Sequence, residues 1–213
     1  MYKLALSHSE VLPQDDDMVL DSTVGGVLRE AAFESANTLA LVEYNEEGQI
    51  GRCWSYAELL SDSEKLAIEL ARVFEKGERI AVWAPNIPEW VLLEYASALS
   101  GLVLVTINPA YQAAELEFVL KQSNAVALFL VPSFRGNPMR KVAKEVVAEI
   151  DAIRLVCEIQ NFDAIFEQLA IDDSPKIDLP AIDSLEPVQI QYTSGTTGFP
   201  KGALLHHRGV TNN

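Results

Sequence analysis

The sequence predicts an α/β protein with a doubly wound, mostly parallel sheet flanked by helices and a small β-hairpin near the N-terminus. From Gly77 onward, short and continuous apolar runs alternate with helical patterns. Uninterrupted apolar strands separated by helices are typical of a parallel sheet that is covered on both faces. Before Gly77, two strand-like runs flank a turn, which is the pattern of an antiparallel hairpin. Connections between parallel strands wind right-handed, which gives the doubly wound layer.

The N-terminal part is predicted to contain a helix, a hairpin and a second helix. The first helix should end near Glu34, after a cap at Ser22 or Thr23. The hairpin consists of a strand, a turn and a returning strand: Leu39–Tyr44, Asn45–Gly48 and Ile50–Trp54. Residues 55–58 (Ser-Tyr-Ala-Glu) have capping-box spacing, so the second helix starts there. Its apolar face follows helical spacing: Leu59, Leu66, Leu70 and Phe74.

The alternation after Gly77 supplies the sheet and its covering helices. The predicted strands are Arg79–Trp83, Leu102–Ile107, Ala125–Val131 and Leu155–Ile159. The predicted helices are Pro88–Ser100, Ala113–Ser123, Met139–Asp151 and Phe162–Leu169. The stretch from Asp172 to Glu186 is polar and contains two prolines, which indicates a surface connection to a last strand at Val188–Tyr192.

The charge balance argues against a nucleic-acid partner. The chain carries 31 acidic and 16 basic side chains, a net charge of −15, and such a field repels phosphate backbones. The distribution is uneven, because no carboxylate side chain follows Glu186 whereas Lys201 and Arg208 do. An anionic small molecule is therefore expected near the C-terminal end of this sequence.

The remaining composition indicates one globular unit. We divide its 213 residues into an extension, 1–21, and one domain, 22–213. No apolar run is long enough for a membrane span, and residues 1–21 lack a signal or transit pattern, so a cytoplasmic location is expected. Cys53 and Cys157 both fall in predicted strands and are expected to be buried thiols. No spacing of cysteine and histidine suggests a metal site.

The segment from Tyr192 to Gly202 carries the strongest functional signal. Three glycines in eleven residues let the backbone turn tightly and bring N–H groups close to a ligand. The segment also contains four hydroxyl side chains and one ammonium group: Thr193, Ser194, Thr196, Thr197 and Lys201. With a strand before it and a helix-compatible segment after it, we predict a loop that holds phosphate oxygens.

Two other interpretations of this segment fit its residues less well. A flexible Gly/Ser/Thr linker needs neither a lysine at a fixed offset nor the proline that precedes it. A Walker loop ends in Gly-Lys-Ser/Thr, whereas here Lys201 is followed by Gly202. The sequence therefore argues against a mononucleotide kinase or a GTPase.

Residues 193–202 (Thr-Ser-Gly-Thr-Thr-Gly-Phe-Pro-Lys-Gly) resemble the phosphate-binding signature of the AMP-forming adenylate synthetases. Further stretches are similar to medium- and long-chain fatty acyl-CoA synthetases: residues 78–86, Pro88-Glu89-Trp90, residues 108–111, residues 128–132 and residues 134–136. The similarity covers nearly the whole chain from Thr23 to Asn213. It favours a fatty acid over an amino acid or luciferin as the substrate class.

The resemblance implies a two-step ligase reaction with ATP, Mg²⁺ and coenzyme A. A carboxylic acid first forms an acyl-adenylate and pyrophosphate, and the thiol of coenzyme A then displaces AMP. The residues implied in ATP phosphate binding are Thr193, Ser194, Gly195, Thr196, Thr197, Gly198, Lys201 and Gly202. None of them is a nucleophile or proton-transfer group, so neither a catalytic residue nor a metal ligand is assigned within this chain.

Family members continue well beyond the phosphate loop, so the resemblance implies that residues 22–213 are a partial AMP-binding N-terminal domain, truncated after this loop. We interpret the chain as the N-terminal part of such an enzyme, inactive by itself. Two alternatives stay open: an inactive remnant that binds a nucleotide, pyrophosphate or a partner, and an adenylation domain for an amino or aryl acid.

Other polar residues are given structural roles. Asn86 is expected to cap the helix that begins at Pro88, and Asn108 to start a turn. His206 and His207 are expected to pack or cap a helix after the loop, and Tyr192 to belong to the core.

Overall fold

The computed structural model describes residues 19–45, 47–160, 162–169, 177–193 and 200–213. Within these ranges the helices are α1 (Val24–Glu34), α2 (Tyr56–Val73), α3 (Pro88–Ser100), α4 (Ala113–Ser123), α5 (Met139–Val147), α6 (Phe162–Leu169) and α7 (His207–Thr211). The strands are β1 (Leu39–Tyr44), β2 (Ile50–Ser55), β3 (Arg79–Trp83), β4 (Val103–Ile107), β5 (Ala127–Leu130), β6 (Leu155–Glu158), β7 (Pro187–Thr193) and β8 (Lys201–His206).

A six-stranded sheet in the order β6-β5-β3-β4-β7-β8 forms the centre of the protein. All its pairs are parallel except the last, in which β8 runs antiparallel to β7. The strands β1 and β2 form a separate antiparallel hairpin. The predicted α/β fold, with its mostly parallel sheet and N-terminal hairpin, is confirmed.

Helices lie on both sides of the sheet. Helices α1, α2, α3 and α6 pack on one another, while α4 and α5 form a second group. Every residue of β5, and all but the first of β3, is buried. This explains why these strands are apolar throughout rather than alternating, since both of their faces are covered.

Local capping signals place several helix ends where the sequence predicts them. Thr23 accepts a hydrogen bond from the Gly26 amide at 2.9 Å and caps α1, and a capping box at Ser55 starts α2. Helix α3 begins with Pro88 and ends at Gly101, whose φ of 72° is the left-handed conformation that favours glycine.

Two helix predictions need correction. Helix α5 ends at Val147 rather than at Asp151, because the amides of Glu149 and Ile150 bond three residues back and tighten the chain. Asn86 does not cap α3, since the N-cap is Ile87 and makes no side-chain cap bond. Proline at the first helical position supplies the start instead.

Across the described ranges, no helix combines the length and the apolar character that crossing a membrane would need. The predicted surface connection Asp172–Glu186 is described only from residue 177 onward.

Candidate functional site

The predicted phosphate loop connects two antiparallel strands. Thr193, the last residue of β7, pairs with Lys201, the first residue of β8. The loop therefore leaves the carboxyl end of the parallel strands, the edge at which ligands bind in open α/β sheets. Its two ends are neighbours in the sheet.

The expectation of a helix directly after the loop is wrong. Lys201–His206 forms β8, and helix α7 starts only at His207. Pairing with β7 overrides the helix-compatible local sequence, as tertiary context often does. The residues that directly follow the loop thus form a strand and not the N-terminus of a helix.

Only part of the predicted phosphate site falls within the described residues. Thr193, Lys201 and Gly202 are described and exposed. Five predicted residues lie outside the described ranges: Ser194, Gly195, Thr196, Thr197 and Gly198. Lys201 forms no salt bridge with any carboxylate in the described part of the chain, so its charge is available to an anion.

Gly202 has a packing role that its sequence context did not reveal. It pairs with Tyr192 across the hairpin, and the Tyr192 ring lies over its Cα. A Cβ at this position would lie 3.1 Å from the Tyr192 Cζ and 3.1 Å from the Ile190 Cγ2. A larger residue would require the Tyr192 ring or the Ile190 side chain to shift by a few tenths of an ångström, so glycine suits this close approach whether or not a phosphate binds.

The two histidines at the junction of β8 and α7 have the structural roles that were predicted. His206 caps α7 by accepting a hydrogen bond from the Gly209 amide at 2.9 Å. His207 is fully buried, and its Nδ1 accepts a bond from the Val24 amide at 3.2 Å. Burial lowers the pKa of His207 to about 4, against an opposing effect of Glu186. A neutral His207 thus links the first turn of α1 to α7.

Two hydrogen bonds of the Asn212 side chain reinforce this link between distant parts of the chain. The Asn212 side chain accepts from the Leu20 amide at 2.7 Å and donates to the Leu20 carbonyl at 2.8 Å. Since α7 follows β8 directly, the strand that carries Lys201 is anchored to the segment that begins α1.

The loops at the same sheet edge are held together by hydrogen bonds. Trp83 donates from its indole nitrogen to the Asn108 carbonyl at 3.0 Å, and Asn108 accepts from the Ala110 amide at 2.9 Å. The Asn137 side chain donates to the Tyr111 carbonyl at 3.1 Å. The structural role predicted for Asn108 is confirmed, whereas nothing in the local sequence singled out Asn137.

Sequence reasoning also missed an ionic link beside this edge. Glu89, in the first turn of α3, is only 1% exposed and accepts two hydrogen bonds from the Arg52 guanidinium, at 2.5 and 3.2 Å. Arg52 also bonds Glu43 at 2.8 Å and lies over the Trp54 ring. The arginine therefore fastens the hairpin to α3.

The prediction for the cysteines is half right. Cys157 is buried, and burial raises the pKa of its thiol to about 12. Cys53 is exposed, because β2 belongs to a two-stranded sheet and Trp54 is its only buried residue. Among the described residues, no cluster of three or more His, Cys, Asp or Glu side chains could hold a metal ion.

Comparison with known proteins shows which family this chain belongs to. The chain is 32% identical over 219 residues to the mitochondrial medium-chain acyl-CoA ligase ACSF2 of Macaca fascicularis, covering 92% of the chain and 35% of that ligase. It is also 32% identical over 219 residues to the protein YngI of Bacillus subtilis (strain 168), covering 92% of the chain and 39% of YngI. The chain thus spans little more than a third of the length of these relatives.

Solved structures show the same fold. The inhibitor-bound N-terminal domain of FACL13 from Mycobacterium tuberculosis is 28% identical, with a TM-score of 0.71 over 88% of this chain and 45% of that one. VinN bound to 3-methylaspartate has the same TM-score of 0.71 over 92% of this chain and 50% of its own, at 23% identity, which shows the fold alone. A model of the family described as AMP-binding enzyme matches residues 28–213, so the chain belongs to that family.

Proposed function

We propose that this chain supplies the ATP phosphate-binding part of an AMP-forming fatty acid–CoA ligase. The observation that carries the proposal is the β7–β8 hairpin, in which Thr193 and Lys201 pair where the glycine-rich loop leaves the sheet. The Lys201 side chain has no salt-bridge partner among the residues that the structure describes. The relatives named as medium-chain acyl-CoA ligases support fatty acids as the substrate class.

The residues of the loop act by binding and positioning. Lys201 would offset the negative charge of the β- and γ-phosphates and of the departing pyrophosphate, which lowers the energy of the transition state. The hydroxyls of Thr193, Ser194, Thr196 and Thr197, together with backbone amides at 195–198, would orient ATP for attack by the carboxylate. The position of Gly202 next to Tyr192 would fix where Lys201 stands relative to Thr193.

The other substrates and Mg²⁺ follow from the family. Mg²⁺ would accompany the ATP phosphates, and we assign it no ligand among the described residues. Coenzyme A would accept the acyl group in the second step. Since the chain spans little more than a third of its relatives, we expect it to bind ATP or pyrophosphate without completing the reaction alone. The domain boundary at residue 22 and a cytoplasmic location are part of the same proposal, and imaging of a tagged protein tests the location.

Lys201→Ala tests the assigned role of the loop. Titration of the 213-residue chain with pyrophosphate and with Mg·ATP should show binding that weakens about tenfold or more in the variant, which is the loss of one charge-assisted contact. Lys141→Ala is the matched control, because Lys141 is also an exposed lysine without a described salt-bridge partner. Equal affinities in Lys201→Ala and wild type would refute the assignment.

A second function stays compatible with the fold, namely adenylation of an amino or aryl acid. VinN, whose structure contains 3-methylaspartate, shares this fold, so the fold leaves that function open. ATP–pyrophosphate exchange by the full-length gene product, measured with octanoate, palmitate, benzoate and aspartate, separates the candidates. Exchange with fatty acids alone supports the ligase, exchange with aspartate or benzoate alone supports this second function, and phosphate binding without exchange supports a binding remnant.

A further inference from the structure

The outer edge of β1 has no strand partner within the described ranges. Strand β1 pairs with β2 alone, and the two form a separate two-stranded sheet. Across the described residues, no backbone–backbone hydrogen bond joins residues 40–44 to a group outside this hairpin. A strand with an unpaired edge presents a row of N–H and C=O groups to which another extended segment can pair.

A cavity of about 420 Å³ follows this edge, a volume within the range of ligand-binding pockets. Four successive residues of β1, 41–44, line it, and no residue of β2 does. Successive side chains of a strand point to opposite faces of the sheet. A cavity that touches all four residues therefore lies along the edge of β1 and not over one face. We call it the β1 groove.

The opposite wall of the β1 groove is formed by the start of α3 and the residues before it. Ile87, Pro88, Trp90 and Val91 make this wall apolar. A strand edge on one side and apolar helix residues on the other is an arrangement suited to peptide addition. In that mode, backbone hydrogen bonds give affinity and apolar contacts select the side chains.

Two polar side chains of the groove have no hydrogen-bond partner in the described part of the molecule. Asn86 is exposed, lines the groove and does not cap α3. The indole N–H of Trp90 has no acceptor, whereas those of Trp54 and Trp83 each donate to a neighbouring residue. Trp90 is half-buried, and buried indole N–H groups usually find a partner. Both side chains are therefore available to the backbone of a bound peptide.

The charges around the groove favour a basic segment. Glu43 lines the groove, and Glu47 is exposed in the adjoining turn without a salt bridge to any described residue. Arg52 pairs with Glu43 but also with the buried Glu89, so negative charge is in excess here. A second copy of this chain would bring the same carboxylates and its own α3 wall to this edge, which disfavours it as the occupant.

We propose that the β1 groove binds an extended peptide segment of a partner protein, with alternating apolar side chains and at least one lysine or arginine. The segment adds to β1 as a third strand, and its apolar side chains pack on the α3 wall. Trp90 and Asn86 bond its backbone, and its basic side chain lies near Glu43. This interaction surface goes beyond the proposed function and requires no ATP.

A synthetic heptapeptide tests this surface: Ac-Lys-Val-Thr-Val-Thr-Val-Lys-amide, in which valines alternate and a lysine stands at each end. It is titrated into the 213-residue chain and followed by NMR shifts of the amides of residues 41–44. Wild type should bind it with a Kd on the order of 100 µM. The β1 amides that pair with the peptide should become protected from hydrogen exchange. Replacing both of its lysines by glutamate should weaken binding about tenfold.

Tyr44→Ser and Ile50→Ser are matched variants. Both side chains are 65% exposed and pair across the hairpin, but only Tyr44 lines the groove. Tyr44→Ser should weaken peptide binding about fivefold through the lost apolar contact, and Ile50→Ser should leave it within about twofold of wild type. Trp90→Phe keeps an aromatic ring and removes the indole donor, so it should weaken binding about fivefold.

Backbone pairing is tested by a second peptide that is N-methylated at every residue between its two lysines. This peptide keeps its side chains and charges but cannot donate hydrogen bonds to a strand, so it should lose binding. Circular dichroism checks the fold of each variant, and Trp90→Phe keeps the test valid if Tyr44→Ser does not fold.

Several results would overturn the proposal: no saturable binding of the heptapeptide, equal weakening by Tyr44→Ser and Ile50→Ser, or full binding by the N-methylated or the glutamate peptide. A dimer of the free chain that Tyr44→Ser dissociates would assign the groove to a second copy and overturn it as well. The proposed function is decided by pyrophosphate and Mg·ATP binding in Lys201→Ala, whereas this surface is decided by peptide binding in the Tyr44 and Trp90 variants, so either can fail without the other.

Discussion

Replacing Arg52 should destabilise the protein more than replacing its buried partner Glu89. The Glu89 side chain is 1% exposed, whereas that of Arg52 is 41% exposed. Arg52→Met leaves a buried carboxylate without its counterion, and only the first turn of α3 still favours its charge. Glu89→Gln leaves the Arg52 guanidinium charged, but water reaches this group and Glu43 still neutralises it at 2.8 Å.

The expected magnitudes follow from this asymmetry. Breaking a fully buried ion pair by removing one partner costs about 3–5 kcal/mol. Because Arg52 is part-exposed and water screens the pair, we expect about 2 kcal/mol for Arg52→Met and about 1 kcal/mol for Glu89→Gln. The double variant no longer contains the buried charge, so it should be about 1 kcal/mol more stable than Arg52→Met alone.

Urea denaturation at neutral pH measures these free energies of unfolding. Arg29→Met is the control, because Arg29 pairs with Glu64 in an ion pair whose side chains are 50% and 38% exposed, and its loss should cost about 0.5 kcal/mol or less. The reasoning is refuted if Glu89→Gln costs as much as Arg52→Met, or if the double variant is no more stable than Arg52→Met.

Two more predictions concern the β7–β8 hairpin and its anchor. Since the pKa of His207 is about 4 when folded and 6.5 when unfolded, its neutral form stabilises the fold fully above pH 6.5, and this contribution is lost as pH falls through 4. We expect this contribution to be about 3 kcal/mol and to vanish in His207→Gln, which keeps an acceptor for the Val24 amide. Identical pH dependence of unfolding in the two proteins would contradict this. Gly202→Ala should lower the free energy of unfolding by about 1–2 kcal/mol, because the added Cβ meets the Tyr192 ring. This loss should be smaller in a chain that also carries Tyr192→Ala, which removes the ring. Strictly additive effects of the two substitutions in thermal unfolding would argue against the contact.

The parts of the fold that local chemistry determines could be predicted from the sequence. Pro88 and Gly101 mark the two ends of α3 in the sequence, because each has a backbone conformation that suits one end of a helix. The capping box at Ser55 likewise starts α2. Continuous apolar runs located the strands of the parallel sheet, although the ends of β5 were placed one or two residues too far out.

The parts that depend on tertiary pairing could not be predicted. Lys201–His206 has no strand pattern of its own and becomes β8 only by pairing with β7. The exposure of Cys53 follows from the position of β2 outside the main sheet, and the Arg52–Glu89 pair joins residues 37 positions apart. Arg79 and Lys201 line one cavity although 122 positions separate them, and no spacing in the sequence signals this proximity.

The antiparallel pairing of Thr193 with Lys201 has an entropic consequence for any ligand of the loop between them. Seven residues separate the paired positions, and their ends are brought together when the hairpin folds. The loss of chain freedom from closing this loop is thus incurred during folding rather than during binding. Whatever path residues 194–199 take, a ligand needs only to order the interior of a loop whose ends are already joined, which leaves more of its contact energy for affinity.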